Sequence, residues 1–405
     1  MGRSDGALPS QRPVRRWRRV AVLDWVRIGL FVGGVLAVST GLLPREAAAG
    51  TVERVLPLLV FLGAVVVLAE LAARAELFDV LAGGITRLAR GRNAALFGLC
   101  LVFAAATTTF LNLDTTAVLL TPVMIAAAVR SRVPVLPLAM TTVWLANTAS
   151  LLLPVSNLTN LLAMDRVQLS PVEFAARMAV PQLAALVMVA GCLWFFYWRG
   201  NPPRYEVPVA FRPRDRRVFT AASVACGAFV LAVVADLSLH WAALACAVTL
   251  VVAFAVWERE ALSWSLLPWR LLVFVVGLFL VVDTISLHGL SSVMTVLIGT
   301  DPGAEGVTRA AAVGGVLSNV LNNLPVYLAG EAVIPPANHD QLLGLLIGTN
   351  VGPLITPWAS LATLIWAERC AAAGLTINWR RFMVTGTVTA VLVFAASVGA
   401  LLLTR

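Results

Sequence analysis

The chain alternates long apolar runs with short polar interruptions, and the interruptions come twice in the same order. Runs of roughly 20 apolar residues, enough to cross a bilayer, lie near residues 20–43, 54–74, 136–165, 173–197, 218–237, 240–257, 268–288, 341–367 and 380–403. Two further stretches, about 94–130 and 306–335, are apolar on either side of a polar centre. The pattern predicts an all-α polytopic membrane protein. In it 94–130 and 306–335 are re-entrant helical hairpins that enter and leave on one side, and 136–165 and 341–367 are discontinuous transmembrane helices. Non-helical backbone at membrane depth is tolerated only where it is buried in protein or lines a wet cavity.

The polar words match between halves. Asn112 in "FLNLDTTAVLLTP" answers to Asn322 in "VLNNLPVYLAG", and "NTASLLLPVSNLTNLL" from Asn147 answers to "NVGPLITPWASLATLI" from Asn350. On the latter alignment Pro154 falls on Pro357, Asn157 on Ser360, Leu158 on Leu361 and Asn160 on Thr363. A weaker echo, "LLVFLGAVVVLAE" (Leu58–Glu70) against "LLVFVVGLFLVVD" (Leu271–Asp283), precedes each hairpin. Paired broken segments in corresponding places point to the binding site of a secondary transporter.

Charge supplies an orientation. Only 13% of the 405 residues are charged and 60% are hydrophobic, against about 25% charged in soluble domains; the mean hydropathy is +0.88. All 30 basic residues are Arg, and the net charge is +9. They sit in short connections and in the N-terminal "RPVRRWRRV", which fits the positive-inside rule and not a nucleic-acid partner. A basic stretch before an apolar run resembles a signal peptide, but the run Val20–Leu43 is long and lacks a small-residue cleavage site, so it reads as a retained first span. With that N-terminus cytoplasmic, the first hairpin exits beside Arg130 and Arg132 on the inside. The second lies outside among Asp301, Glu305, Glu331 and Asp340. One basic-flanked and one acidic-flanked hairpin is what an inverted repeat requires. The expected organisation is a basic cytoplasmic N-terminus (1–19), a first repeat (20–198), a Pro- and Arg-rich cytoplasmic linker (199–217) and a second repeat (218–405).

The candidate substrate- or ion-binding residues are those of the four interruptions: Asn112, Asp114 and Thr115; Asn147, Ser156, Asn157, Thr159 and Asn160; Asn322 and Asn323; and Asn350, Thr356, Ser360 and Thr363. Asp114 is the acid among them and the coupling candidate, since ionisable residues inside apolar spans usually face a cavity or a partner; a helix N-cap is its structural alternative. Ser156–Asn160 places four polar residues in five positions just after Pro154, either a site at a half-helix N-terminus or a polar helix–helix contact. "GPLITP" carries two prolines four apart, which a regular helix does not accept. Glu70 is expected to pair with Arg74 one turn on, and Asp283, near His288, to lie at a span end. The five cysteines are scattered without a CxxC and read as buried apolar residues rather than disulfide or metal ligands. No nucleophile–base pair, phosphate-cradling loop or metal set is present in the sequence, so neither an enzyme nor a cofactor is expected.

At these words the chain resembles the bacterial arsenite permeases of the ion transporter superfamily. "NTASLLLPVSNLTNLL" and "GTNVGPLITPWASLATLIW" carry the likeness, with "FLNLDTTAVLLTPV", "VLNNLPVYLAG" and "LTINWRRFMVTG". It covers the membrane region from about residue 54 onward. The resemblance implies two inverted repeats, a homodimer in the bacterial inner membrane, and arsenite or antimonite efflux, proton-coupled or assisted by a partner ATPase. Related carriers are sodium/proton antiporters and sodium-coupled dicarboxylate transporters. The chain departs from the family where Asn147 and Asn350 replace acids and Leu354 replaces a Lys. The expected function is therefore arsenite/antimonite efflux, proton-linked or facilitative, with a sodium/proton antiporter or sodium-coupled anion carrier of the same fold as the alternative and a non-transporting scaffold or receptor as the third. None of the four segments holds an Arg or His, so a dianion would meet no fixed positive partner beyond helix ends.

Overall fold

The computed structural model describes residues 22–209, 211–235 and 237–404; the basic N-terminus expected at 1–19 lies outside them. Helices carry the chain. α1 (Val22–Ser39) and α2 (Arg45–Arg74) precede a short α3 (Leu77–Leu88). The first hairpin is α4 (Asn93–Leu111) and α5 (Leu113–Arg130), and the first broken helix is α6 (Val135–Thr148) and α7 (Leu158–Val167), followed by α8 (Pro171–Leu193). After the linker come α9 (Arg216–Val234), α10 (Leu239–Trp257), α11 (Trp269–Ile285) and a short α12 (Ser291–Ile298). The second hairpin is α13 (Ala304–Leu321) and α14 (Asn323–Glu331), the second broken helix α15 (His339–Val351) and α16 (Leu361–Ala372), and α17 (Trp379–Leu403) closes the chain. Seven stretches among the described residues are long and apolar enough to cross a membrane.

The order long helix, short helix, hairpin, broken helix, long helix therefore occurs twice. α1 packs on α11 while α10 packs on α2, and α8 packs on α17, so each half is braced by the other. α3 and α12 were not expected. Both are too short to read as spans alone: α3 has 12 residues with Asp79 and Arg87 in it, about 18 Å of helix against the roughly 30 Å of a hydrocarbon core, and α12 is an apolar piece of 8 residues set off from α11 by the kink at Gly289. The Arg-rich linker is stitched down rather than free. Asn93 N donates to Pro203 O (3.0 Å) and Tyr205 N to Gly91 O (2.9 Å), Tyr205 Oη donates to Thr86 O (2.6 Å), and the Arg130 guanidinium lies 3.8 Å over the Phe211 ring. Burial pushes the Tyr205 phenol up to about 12, so it remains a donor at neutral pH.

In lipid there is little hydrophobic drive between helices, and close backbone approach through small residues takes its place. α13 and α15 show this. A Cβ on Gly344 would stand 2.6 Å from Val307 O, on Gly348 1.9 Å from Ala311 O, and on Gly352 2.4 Å from Gly315 O. Gly348→Val is expected to separate the two helices and cost at least 1–3 kcal/mol, the range of an overpacked core. Gly83→Ala, whose added Cβ would meet no atom within 4 Å, should leave the unfolding midpoint in detergent unchanged or raised, since alanine favours a helix interior by about 0.5–1 kcal/mol. Equal midpoints for both variants would refute the close approach.

Candidate functional site

Each hairpin turns on a single asparagine in the same backbone conformation: Asn112 at φ 80°, ψ 166° and Asn322 at φ 84°, ψ 152°. That region is nearly glycine-only and costs a non-glycine residue on the order of 1–3 kcal/mol; such residues collect at ligand clamps and switches. The asparagine side chains hold the turns. Asn112 Oδ1 accepts from Thr115 N (2.9 Å), capping α5, and Asn322 Nδ2 donates to Trp358 O (2.9 Å).

The tips dock on the breaks of their own halves. Ser156 Oγ donates to Thr109 O (2.7 Å) and Thr109 Oγ1 to Ala149 O (3.1 Å); in the second half Asn323 N donates to Ala359 O (2.8 Å). Asn157 and Ser360, matched in the sequence alignment, cap the half-helices that restart after the breaks. Asn157 Oδ1 accepts from Thr159 N (3.2 Å), and Ser360 Oγ accepts from Thr363 N (3.1 Å). Asn160 Nδ2 donates to Ser150 O (2.6 Å) and Leu153 O (2.9 Å), meeting carbonyls released by the first break.

Asn147 and Asn350 sit behind the tips and tie the halves together. Asn147 Nδ2 donates to Thr363 Oγ1 (3.2 Å). Asn350 Oδ1 accepts from Asn157 Nδ2 (2.6 Å) and from Ser150 Oγ (3.0 Å). Two residues that the sequence reading left out complete the network. Asn319 Oδ1 accepts from Thr356 N (3.0 Å) and Thr356 Oγ1 (2.9 Å), while its Nδ2 donates to Gly352 O (3.0 Å). Gln182 of α8 accepts from Leu151 N (2.8 Å) and donates to Thr148 O (2.9 Å), satisfying both sides of the first break. The signal was there in each case: a lone amide inside an apolar helix, three residues before a tip for Asn319 and after Pro181 for Gln182.

A cavity of about 40 Å³ lies where the four interruptions meet. One water needs about 10–15 Å³ of such space, so the cavity takes on the order of three waters. One side is built from the first residues of four helices: Leu113 and Asp114 of α5, Asn157 and Leu158 at α7, Asn323 and Leu324 of α14, and Leu361 of α16, with Asn322 beside them. The other side is apolar, from Leu58 of α2 and Phe274, Leu278 and Phe279 of α11. Four converging helix N-termini make a positive field that favours oxygen lone pairs or negative charge. Asp114 is the one ionisable group in the lining, and its Oδ1 is buried without a hydrogen-bond partner. Of the predicted residues, Asp114, Asn157, Asn322 and Asn323 line the cavity. Asn112, Thr115, Asn147, Ser156, Thr159, Asn160, Asn350, Thr356, Ser360 and Thr363 form the framework around it. Groups of three or more His, Cys, Asp or Glu placed to hold a metal do not occur among the described residues.

Glu70 reaches further than one turn. It lies 3.8 Å from Arg74 and 2.8 Å from Arg369 of α16, so an ion pair joins the apolar wall helix to the half-helix facing it. Asp283, its counterpart in the weaker repeat, accepts from Thr51 Oγ1 of α2, and His288 Nδ1 lies 2.8 Å from Thr284 O.

Membrane-crossing helices around a cavity lined from both halves of the chain, with its polar groups at four helix starts, define a membrane transport protein. The chain belongs to the citrate transporter family, which it matches over residues 21–341. It is 30% identical over 366 residues to the arsenical pump membrane protein of Yersinia enterocolitica, covering 84% of each chain. It is also 30% identical over 368 residues to an arsenical pump membrane protein of Escherichia coli, again over 84% of each. Among solved structures, the Alcanivorax borkumensis YdaH transporter aligns over 94% of this chain and 97% of its own with a TM-score of 0.47 and 13% identity.

Proposed function

We propose that this protein exports trivalent arsenic or antimony, as the neutral hydroxide, across the bacterial inner membrane, either proton-linked through Asp114 or by facilitated diffusion. The observation that carries the reading is the make-up of the cavity. Three amides and four helix N-termini can donate to hydroxyl oxygens, the Asp114 carboxylate can accept from the hydroxyls, and no Arg, Lys or His lines the cavity. Arsenous acid is uncharged at neutral pH and suits such a lining. Citrate, a polyanion, would face Asp114 with no fixed cation beside it. The thiols lie away from the tips, which suits a carrier that must also release its cargo. In this reading Asn157, Asn322 and Asn323 contact the substrate, the two repeats are inverted about the cavity with the boundary at 199–217, the N-terminus is cytoplasmic, and the chain works as a homodimer, alone or with a partner ATPase.

Arsenite flux into proteoliposomes, read by mass spectrometry, tests this. Flux well above empty vesicles and no citrate flux are expected; arsenite flux no greater than in empty vesicles would sink the proposal. One observation favours a second reading, a sodium/proton antiporter or sodium-coupled anion carrier. Thr115 Oγ1, Thr159 Oγ1 and Asn160 Oδ1 are buried oxygens without partners, the type of donor a hard cation takes. A sodium-dependent rise in the unfolding midpoint, with no response to arsenite, would select it.

A further inference from the structure

We propose that the end of the molecule where α8 finishes and α17 begins carries a binding site for the phosphate of an anionic phospholipid. A groove of about 380 Å³ there is lined by Pro134, Leu136, Phe195, Arg199, Asn201 and Arg381, among others. Its two guanidinium groups are held by aromatic rings and backbone instead of carboxylates. Arg199 lies 3.9 Å over the Phe195 ring. Arg381 lies 5.0 Å over the Tyr197 ring, and its Nη2 donates to Phe196 O (2.9 Å). Neither forms an ion pair among the described residues, whereas Arg130, Arg177 and Arg369 meet Asp79, Asp340 and Glu70 at 2.6–2.9 Å. An arginine has five N–H donors, so most of those on this pair are left for an outside acceptor.

Two further features converge on the groove. Asn201 Nδ2 is a buried donor without an acceptor. α6 begins just after Pro134, which supplies no side-chain cap, and its first turn lines the groove through Leu136 and Pro137, so the positive end of that helix meets no side-chain cap there. Two cations, an unspent amide and an uncapped helix start are the donor set a phosphate diester takes.

The surrounding surface selects a lipid over a soluble ion. The same two helices carry exposed apolar flanks, with Leu183 and Val187 each 62% exposed on α8 and Val384 58% on α17, and Trp194 and Trp379 stand near the groove end as interfacial aromatics do. A headgroup in the groove would leave its acyl chains along those flanks. Basic pockets between membrane helices bind anionic headgroups in this way.

The test uses the full chain, purified in detergent and incubated with phosphatidylglycerol or phosphatidylethanolamine, with retained lipid read by native mass spectrometry. Phosphatidylglycerol should be kept in preference. The double variant R199Q/R381Q should lose it by roughly 30-fold, two surface arginines each contributing about fivefold. R380Q, one residue from the groove lining, should bind as the wild type does. The single R199Q, whose side chain only stacks on Phe195, should lose about fivefold and serves if the double variant does not fold. Equal retention of the two lipids, or full retention of phosphatidylglycerol by either groove variant, would overturn the proposal. So would displacement of the lipid by millimolar inorganic phosphate, which would assign the groove to a soluble anion.

Discussion

Asp114→Asn will abolish export driven by a pH gradient and leave a folded protein that still lets substrate run downhill. Asp114 stands in the first turn of α5 and lines the cavity, with one carboxyl oxygen buried and unpartnered. It is the one side chain in that lining able to gain and lose a proton. Asparagine has the same shape and keeps a polar group at the helix start, so the loss of stability should stay near the 0.3–1 kcal/mol of one charge at a helix N-terminus. Under a pH gradient, flux should fall to the level seen without one. Flux in proteoliposomes with and without an imposed gradient separates the two effects. An unchanged pH dependence in the variant would remove Asp114 as the coupling group.

Asn350→Ala will do the opposite, striking stability first. Asn350 Oδ1 receives both Asn157 Nδ2 and Ser150 Oγ. Removing it leaves the buried Asn157 Nδ2 unpaired, while Ser150 Oγ keeps Asn147 O as an acceptor (3.0 Å), so a loss of about 1–3 kcal/mol is expected from chemical unfolding in detergent. Asn350→Asp keeps the acceptor, and with its buried carboxyl protonated it can still donate towards Leu346 O, so at low pH it should be the milder change. Asn147→Ala, which loses a single 3.2 Å bond to Thr363 and the bond to Val143 O (2.9 Å), should fall between wild type and Asn350→Ala. A loss of under about 1 kcal/mol in Asn350→Ala would show that the tie between halves carries little, as some membrane hydrogen bonds do.

These two variants also mark how far the residues alone could be read. The tips and breaks were legible because polarity inside an apolar run is costly and therefore local: Asn112 and Asn322 sit at the turns, and Pro154 and "GPLITP" fall within the interruptions. What each polar group bonds to was not legible, since that depends on packing between helices some 200 residues apart. Asn147 and Asn350, read as candidate binding residues, hydrogen-bond across the halves, while Asn319 and Gln182, which the sequence pattern did not single out, satisfy the breaks. The apolar wall was invisible for a different reason. Phe274 and Leu278 face the cavity, but nothing separates them in the sequence from neighbours of the same kind. The short helices α3 and α12 escaped notice for two reasons: α3 is short and carries Asp79 and Arg87, and α12 is an apolar piece of 8 residues that only the kink at Gly289 separates from α11.

The bridging amides have a consequence for how the protein is made. The first half leaves the ribosome with a broken helix whose Asn157 must wait 193 residues for its acceptor and whose Asn147 must wait 216 for Thr363. Until then its polar interruption lies in the membrane with nothing from the other half to answer it, a costly state in hydrocarbon. Biogenesis of this transporter is thus a late event, completed by the last third of the chain. A fragment ending in the linker should be inserted and then cleared by proteolysis, and co-expression of residues 218–405 should rescue it.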